Sequence, residues 1–394
     1  MQLHFFNNLD QKTFYPLTLT RGVADLRVGV LTIAEKWQKF FDKELYEHSP
    51  NPTTPNTKGI SDNILGINPT FLPTRDLIQQ IKALQTGDCI VYKDVVVAYL
   101  SDSLSNDFLN IDECSEMNMV SMESEPLVLV HLSDLFKHNG EQIIQDIQLL
   151  EAERSTVPEH CTVIGNKADV YVHPSASVLA STLNVEKGPI YIGKGATVME
   201  SSMVRGPFAL CEHATLKMGT KVYEDTTIGP WCKAGGEIGN SIMIGYSNKG
   251  HDGYMGNSIL GEWCNLGADT NTSNLKNNYS EVKIWSYESE QLEKSGLTFC
   301  GLIMGDHSKC GINTMFNTGT VVGVSANIYG GNFPPKFIPS FSWGGSDGMV
   351  TYDIEKAIDT AERVMARRKV ELDDKGRELL RKIHRDSKKY RQED

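Results

Sequence analysis

"IYIGKGATVMESSMVRGPFALCEHATLKMGTKVYEDTTI", residues 190–228, puts an aliphatic side chain at every sixth position: Ile192, Val198, Val204, Leu210, Leu216, Val222 and Ile228. A helix would repeat at about 3.6 residues; a period of six fits one short strand plus a turn. Four residues after many of these positions stands a small residue: Ala196, Ser202, Ala214, Thr220, Thr226 and Cys232. The aliphatic residue points inward and the small one fits the cramped interior near a corner. No such unit buries its apolar residue alone, so coils must stack into a solenoid.

The same spacing links Val172 and Val178 upstream, with a phase shift marked by Ile190. Downstream it returns at Leu260 and Leu266, then at Met304, Cys310, Phe316, Val322 and Ile328, with Ala326 as a further small residue. Two segments interrupt it: residues 245–258, and residues 274–301, which read as a loop or hairpin extruded from a coil. Long loops on a rigid scaffold commonly carry function.

Residues 1–155 have a different texture, that of an α/β domain. A helix starts at the capping box Thr32/Glu35 and runs toward Leu45, and a Pro/Asn/Thr-rich loop follows at 49–59. A second helix begins at its N-cap Thr74 and stops at Gly87. The apolar runs around Lys93-Asp94 read as a hairpin, and residues 132–153 as a helix broken at Asn139-Gly140. The tail, 353–394, is helical; from residue 354 it holds 13 Lys/Arg against 10 Asp/Glu. It reads as a solvated helix packing one face on the solenoid, or as a basic element that helps hold a phosphate-rich ligand.

With 394 residues, 40% apolar content and 22% charged, the chain can bury the cores of two or three domains. Its formal net charge of −12 argues against nucleic acid and anionic membranes as partners. No apolar run is long enough to span a bilayer, and no signal peptide is recognisable. The eight cysteines form no Cys-x-x-Cys pair, which suits reduced thiols in the cytoplasm and predicts no metal site.

The repeat resembles the hexapeptide family, whose fold is a left-handed parallel β-helix with three strands per coil; here it would fill 160–345. That fold hosts several activities, so a site must decide. "KGHDGYMGNSILGEWCNLGADTNTSN", residues 249–274, resembles the acetyltransferase half of bifunctional UDP-N-acetylglucosamine pyrophosphorylase/glucosamine-1-phosphate N-acetyltransferases. The match runs through Gly250-His251, Tyr254, Asn265-Leu266-Gly267-Ala268 and Ser273-Asn274, with Asp269 and Leu275 as departures. The resemblance implies an acetyl-CoA-dependent N-acetyltransferase acting on an amino-sugar phosphate, in a homotrimer with sites between subunits. It makes His251 the general base and Tyr254, Asn265 and Asn274 substrate ligands. Arg205, Lys217, Lys233 and Lys249, expected at solenoid turns, are candidates for the sugar phosphate. Ala268, His307, Thr318 and Gly323 would line the acetyl-CoA groove; His307 could instead cap a turn, and small residues such as Thr318 and Gly323 are also what the repeat itself requires. A neutral imidazole suits removal of a proton from an attacking amine near neutral pH. Met199, Met203, Trp231, Met243, Trp263 and Met315 are expected on outward faces, an independent reason to expect subunit contacts; the alternative is that they cover the ends of the prism against the N-terminal domain and the C-terminal helix. A zinc carbonic anhydrase needs three converging histidines, and His173, His213, His251 and His307 lack the spacing. A non-catalytic scaffold is the other alternative.

"YPLTLTRGVADLRVGVLTI", residues 15–33, resembles a segment of sugar-1-phosphate nucleotidyltransferases, which implies a nucleotidyltransferase-like, Rossmann-like N-terminal domain. Arg21, Asp25 and Arg27 are its candidate nucleotide or sugar-phosphate ligands, with Mg²⁺ only if the domain is active. The family's glycine-rich phosphate loop is replaced by "FFNNLDQKTFY", without glycine, and its metal-binding Gly-Asp falls at Ile67-Asn68. Backbone N–H groups that approach phosphates closely need glycine, so a divergent domain is expected.

Overall fold

The computed structural model describes residues 2–6, 11–41, 64–102, 111–150 and 154–391. The loop expected at 49–59, and the extension of the first helix to Leu45, lie outside the described residues. The chain forms two compact units. The first comprises Met1–Phe14, Arg21–Leu26 and Leu31–Asp134; the second comprises Tyr15–Thr20, Arg27–Val30 and Leu135–Asp394.

The first unit is built on a five-stranded mixed sheet. Its strands are β1 (Gln2–Phe5), β2 (Ile64–Ile67), β3 (Asp88–Tyr92), β4 (Val95–Ser101) and β5 (Asn118–Ser121), in the order β1-β2-β4-β3-β5. β1 pairs with β2, and β3 with β5, in parallel; β4 is antiparallel to β2 and β3. Helices α1 (Ile33–Phe41) and α2 (Arg75–Ala83) start where their capping residues predict. Glu35 Oε2 accepts from the Thr32 N–H at 2.7 Å, and Thr74 Oγ1 from Leu77 N–H at 3.3 Å. Lys93 and Asp94 take the positive φ values, 46° and 64°, that turn the β3–β4 hairpin.

The second unit is a parallel β-solenoid. Three sheets of nine, ten and eight strands run along it, here called A, B and C; the final strand of sheet B, Gly348–Thr351, is antiparallel to its neighbour. Register sets the coil. Ile192 pairs with Leu210 and Leu210 with Ile228 on sheet A, eighteen residues per coil, or three hexads. The small residues at the corners, Ala196, Ser202, Ala214, Thr220, Thr226 and Cys232, are all fully buried.

Residues 245–258 do not interrupt the solenoid as expected. They form a complete coil with strands Asn248–Lys249 and Tyr254–Gly256, but the coils here are shortened. Ile228 pairs with Met243, fifteen residues on, and Met243 with Leu260, seventeen on. The missing residues shift the hexad phase and hide the repeat. The expected extrusion at 274–301 is present: Leu260 pairs next with Met304, and the added chain forms a hairpin of Lys283–Ser286 with Gln291–Lys294. Two residues expected on outward faces are inside: Met243 is fully buried in the solenoid core and Trp263 packs under the C-terminal helices.

Helix α3 (Leu132–Leu149) is continuous, not broken at Asn139-Gly140. These two residues make a contact instead. Asn139 accepts from Gly29 N–H at 2.7 Å and donates to the Asp225 carbonyl at 2.8 Å. A Cβ on Gly140 would lie 1.8 Å from Asp225 Oδ1, so the glycine permits a close approach. Helices α4 (Ile354–Ala366) and α5 (Asp374–Asp386) bury Ala357, Ile358, Ala361, Met365, Leu380 and Ile383 with Trp263, Val324 and Phe341 of the solenoid. Among the described residues, no helix is long and apolar enough to cross a membrane.

Candidate functional site

The shortened coils carry the site. On sheet C the coil offset of seventeen residues stacks Met255 on Thr272, which brings Tyr254 next to Asn271 and Asn257 next to Asn274. Asn274 donates to Tyr254 Oη at 3.0 Å and to Asn257 Oδ1 at 2.7 Å. Tyr254 N–H donates to Asn271 Oδ1 at 2.8 Å. Burial is the main cause that pushes the Tyr254 phenol above its ordinary pKa, so it stays protonated and can donate to a ligand. Asn257 and Asn271 were missed in the sequence, although the coil offset, once known, places both.

His251 stands at the turn leading into strand Tyr254–Gly256 and is exposed. Its ring makes no hydrogen bond within the described residues. Its backbone is held from inside the solenoid. Lys249, only 1% exposed, occupies the inward column of sheet B between Ala234 and Leu266, where other coils place aliphatic residues. Its Nζ donates to the His251 carbonyl at 2.7 Å and to the Asp252 carbonyl at 3.2 Å. Lys249 is therefore in a strand and faces the core, not a turn. Burial pulls its pKa down to about 8.

The other expected ligands are spread out. Arg205 lies in strand Met203–Arg205, 3.4 Å from Glu224. Lys217 directly follows strand Thr215–Leu216. Lys233 and Asn265 share the outward column of sheet B: Lys233 pairs with Asn248, Asn248 with Asn265, and Asn265 with Lys309. Ala268 accepts from Asn313 N–H at the corner between sheets B and C. His307 is buried at the corner between sheets A and B, its ring 6.4 Å from that of Trp263. Thr318 is buried and bonded to Asn317. A Cβ on Gly323 would sit 2.3 Å from the Ser340 amide, so the gap there is filled by the chain itself.

In the N-terminal segments, Asp25 accepts from Gly22 N–H at 3.1 Å and closes a helical turn. Arg21 is buried. Arg27 is buried too and donates to the carbonyls of Val30 and Ile244. Asn68, where the resemblance aligns a metal-binding aspartate, is fully buried; its amide donates to the Val96 carbonyl and its oxygen accepts from Thr70. This position does not fit Mg²⁺: it offers no carboxylate and its carboxamide is spent. Among the described residues, no group of three or more His, Cys, Asp or Glu could hold a metal ion.

Lys249 makes a pH test possible. Its folded pKa, about 8, lies below the ordinary lysine value of about 10.4. Between these values the unfolded chain binds more protons, so this group makes the native state gain stability as pH rises. Chemical denaturation of wild type and Lys249→Met should show wild type gaining on the order of 2–3 kcal/mol relative to the variant between pH 8 and 10. A difference that stays constant with pH would mean the lysine titrates normally.

Residues 3–155 match the family model described as sugar nucleotidyl transferase. The bifunctional protein GlmU of Methanococcus aeolicus is 32% identical over 143 residues, 36% of this chain and 29% of that protein. GlmU of Methanocaldococcus jannaschii is 31% identical over 150 residues, 38% of this chain and 30% of that protein. The bifunctional sugar-1-phosphate nucleotidylyltransferase/acetyltransferase of Sulfurisphaera tokodaii is 33% identical over 95 residues, 24% of this chain and 23% of that protein. The chain thus spans less than a third of the length of these relatives. Among solved structures, the polySia-specific acetyltransferase NeuO is 12% identical over 52% of this chain and 98% of its own, with a TM-score of 0.27. The Arabidopsis UDP-N-acetylglucosamine acyltransferase is 16% identical over 54% of this chain and 79% of its own, with a TM-score of 0.22. The chain is similar to sugar nucleotidyl transferases over residues 3–155, and to bifunctional GlmU proteins over up to 38% of its own length.

Proposed function

We propose that the solenoid, residues 160–345, transfers an acetyl group from acetyl-CoA to the amine of an amino-sugar phosphate, with glucosamine-1-phosphate as the first candidate. The observation that carries this reading is the exposed His251 imidazole, free of side-chain bonds, at the turn that enters the Tyr254–Asn257–Asn274 cluster. His251 takes a proton from the sugar amine as its nitrogen attacks the thioester carbonyl carbon. A C–N bond forms; when the tetrahedral intermediate collapses, the C–S bond breaks and coenzyme A leaves as the thiolate, to which the proton can return. Tyr254 and Asn274 present the hydrogen-bonding groups that orient the sugar, and Lys249 fixes the backbone that carries the base. The names of the bifunctional relatives, one an explicit nucleotidylyltransferase/acetyltransferase, support the reaction class.

His251→Ala should lower acetyl transfer by about 10²–10⁴-fold, read as thiol release from acetyl-CoA with a panel of amino-sugar phosphates. Turnover at the wild-type rate would remove His251 as the base. No release from any amino sugar by wild type would remove the acetyltransferase reading altogether.

A second reading concerns residues 1–155 and is favoured by the family-model match over 3–155. This part would be a sugar nucleotidyltransferase relative of weak or lost activity, since its phosphate loop lacks glycine and Asn68 replaces the expected aspartate. Exchange of labelled pyrophosphate into UTP or dTTP with Mg²⁺ should be weak or absent; robust exchange would show that other residues do this work.

The active form proposed is a homotrimer. Met203 and Trp231 remain exposed on the solenoid, as does Met218. These are larger apolar groups than a solvated surface needs. A neighbouring subunit would also shield the thioester at His251 from water. Sedimentation at micromolar concentration should give a mass near three chains, and a fully active monomer would refute the shared site.

A further inference from the structure

A pocket of about 280 Å³ lies on sheet B, lined by Lys233, Asn248, Asn265 and Lys309 along the column, Tyr246 and Trp263 at the corner, and Arg367 and Arg368 after α4. It does not include His251 or the Tyr254–Asn274 cluster, which sits on sheet C. Four cationic side chains converge here and no carboxylate lines the pocket. Among the described residues none of the four pairs with a carboxylate, although Lys309 Nζ donates to the His307 carbonyl at 2.6 Å. The ammonium of Lys233 is held below its ordinary pKa by burial and by repulsion from Arg368, Lys217 and Arg367. Lys309 is half-buried, with its pKa pulled down to about 8 by burial. Arg368 Nε is buried and has no hydrogen-bond acceptor among the described residues.

We infer that this pocket binds a diphosphate group, whether free pyrophosphate or the diphosphate of a nucleotide. A phosphate monoester carries about −1.5 to −2 charges at pH 7, too few for four converging cations. A diphosphate supplies the charge and covers one rung spacing of the column, about 4.8 Å, so it bridges the two asparagine rungs while the lysines of the outer rungs reach toward it from either side. Asn248 and Asn265, between the two lysines, offer amide donors to its bridging and terminal oxygens. Arg368 supplies a planar fork of donors suited to phosphate oxygens. The competing explanation for the arginines is neutralisation of the C-terminal dipole of α4. It does not account for an arginine nitrogen buried without an acceptor, nor for the lysine column facing it.

The test is isothermal titration of the full chain, with no acetyl donor present, against inorganic pyrophosphate, UDP, orthophosphate and glucosamine-1-phosphate. Pyrophosphate should bind more tightly than orthophosphate. Arg368→Gln and Lys233→Met should each weaken it by about tenfold or more, while unliganded melting is not lowered, since each substitution removes one of the mutually repelling cations. His251→Ala should bind pyrophosphate as wild type does, which separates this inference from the acetyl-transfer reading. UDP binding as tightly as pyrophosphate, and equally sensitive to Arg368→Gln, would identify a nucleotide as the source of the group; much weaker UDP binding would identify the free anion. No binding of pyrophosphate, or affinity indifferent to both substitutions, would overturn the inference. So would orthophosphate matching pyrophosphate, or glucosamine-1-phosphate binding tightest and through Arg368, which would make the pocket a monophosphate site.

Discussion

The structure depends on three columns of inward side chains running through the solenoid. A coil contributes one strand of two to four residues to each sheet, too few to be stable alone. What holds it is the side chain it places on the axis, packed between equivalents above and below. Val198, Leu216, Ala234, Leu266, Cys310 and Ile328 form such a column on sheet B, all nearly inaccessible to water. Lys249 breaks that column. Burying an amine costs free energy unless its donors are satisfied. Two carbonyls, those of His251 and Asp252, satisfy it. The exception in the core is thus tied to the exposed histidine by hydrogen bonds that leave the core for the corner.

The corners between sheets A and B impose a second constraint. His213, Trp231, Tyr246, Trp263, His307 and Ser325 all take φ near +53° to +61°, a region bulky residues rarely occupy. Their amides offset this with bonds to the previous coil: His213 to Lys194, Trp231 to Glu212, Tyr246 to Pro230, His307 to Glu262. The rings then pack on one another, His213 tilted by 33° against Trp231 at 4.3 Å and Tyr246 stacked on Trp263 at 4.2 Å. This aromatic edge gives α4 and α5 something to pack against. The ion pairs that join the two helices, Arg377 with Glu362 and Arg381 with Glu355, are partly or largely exposed and add little beside it. The tail is held by its apolar face, as its periodicity suggests, and Arg367 and Arg368, at the end of α4, line the pocket.

Much of the fold was legible because the hexad is a direct image of the coil: each aliphatic position from Ile192 to Ile228 is buried. The reading failed where coils change length. A coil of fifteen residues shifts the phase by half a hexad, so Met243 looked exposed and 245–258 looked like a break. It also put Lys249 at a turn, when the shift turns it inward. Asn139-Gly140 has the local signature of a helix end, but contacts with Gly29 and Asp225, distant in sequence, decide its role. The Tyr254–Asn274 pair was visible through resemblance. Lys309, Arg367 and Arg368 were not visible as one group, because the tail's docking on sheet B brings them together and no local pattern records that docking.

The shortened coils also explain why the histidine sits where it does. In the shortened coil only two residues, Gly235 and Gly236, separate strand Lys233–Ala234 of sheet B from strand Glu237–Gly239 of sheet C. A Cβ on Gly235 would lie 2.9 Å from the Gly250 backbone, and one on Gly236 would lie 2.6 Å from the Gly253 carbonyl oxygen. Both distances are shorter than a side-chain carbon tolerates, so a glycine pair in one coil is the floor on which the next corner rests. That next corner is Gly250-His251-Asp252-Gly253. It is supported below by backbone that no side chain holds away, and braced from within by the Lys249 amine. An exposed side chain on a long loop would wander. Here a four-residue corner fixed on two sides holds the backbone of an exposed imidazole in place and leaves the ring itself free to turn.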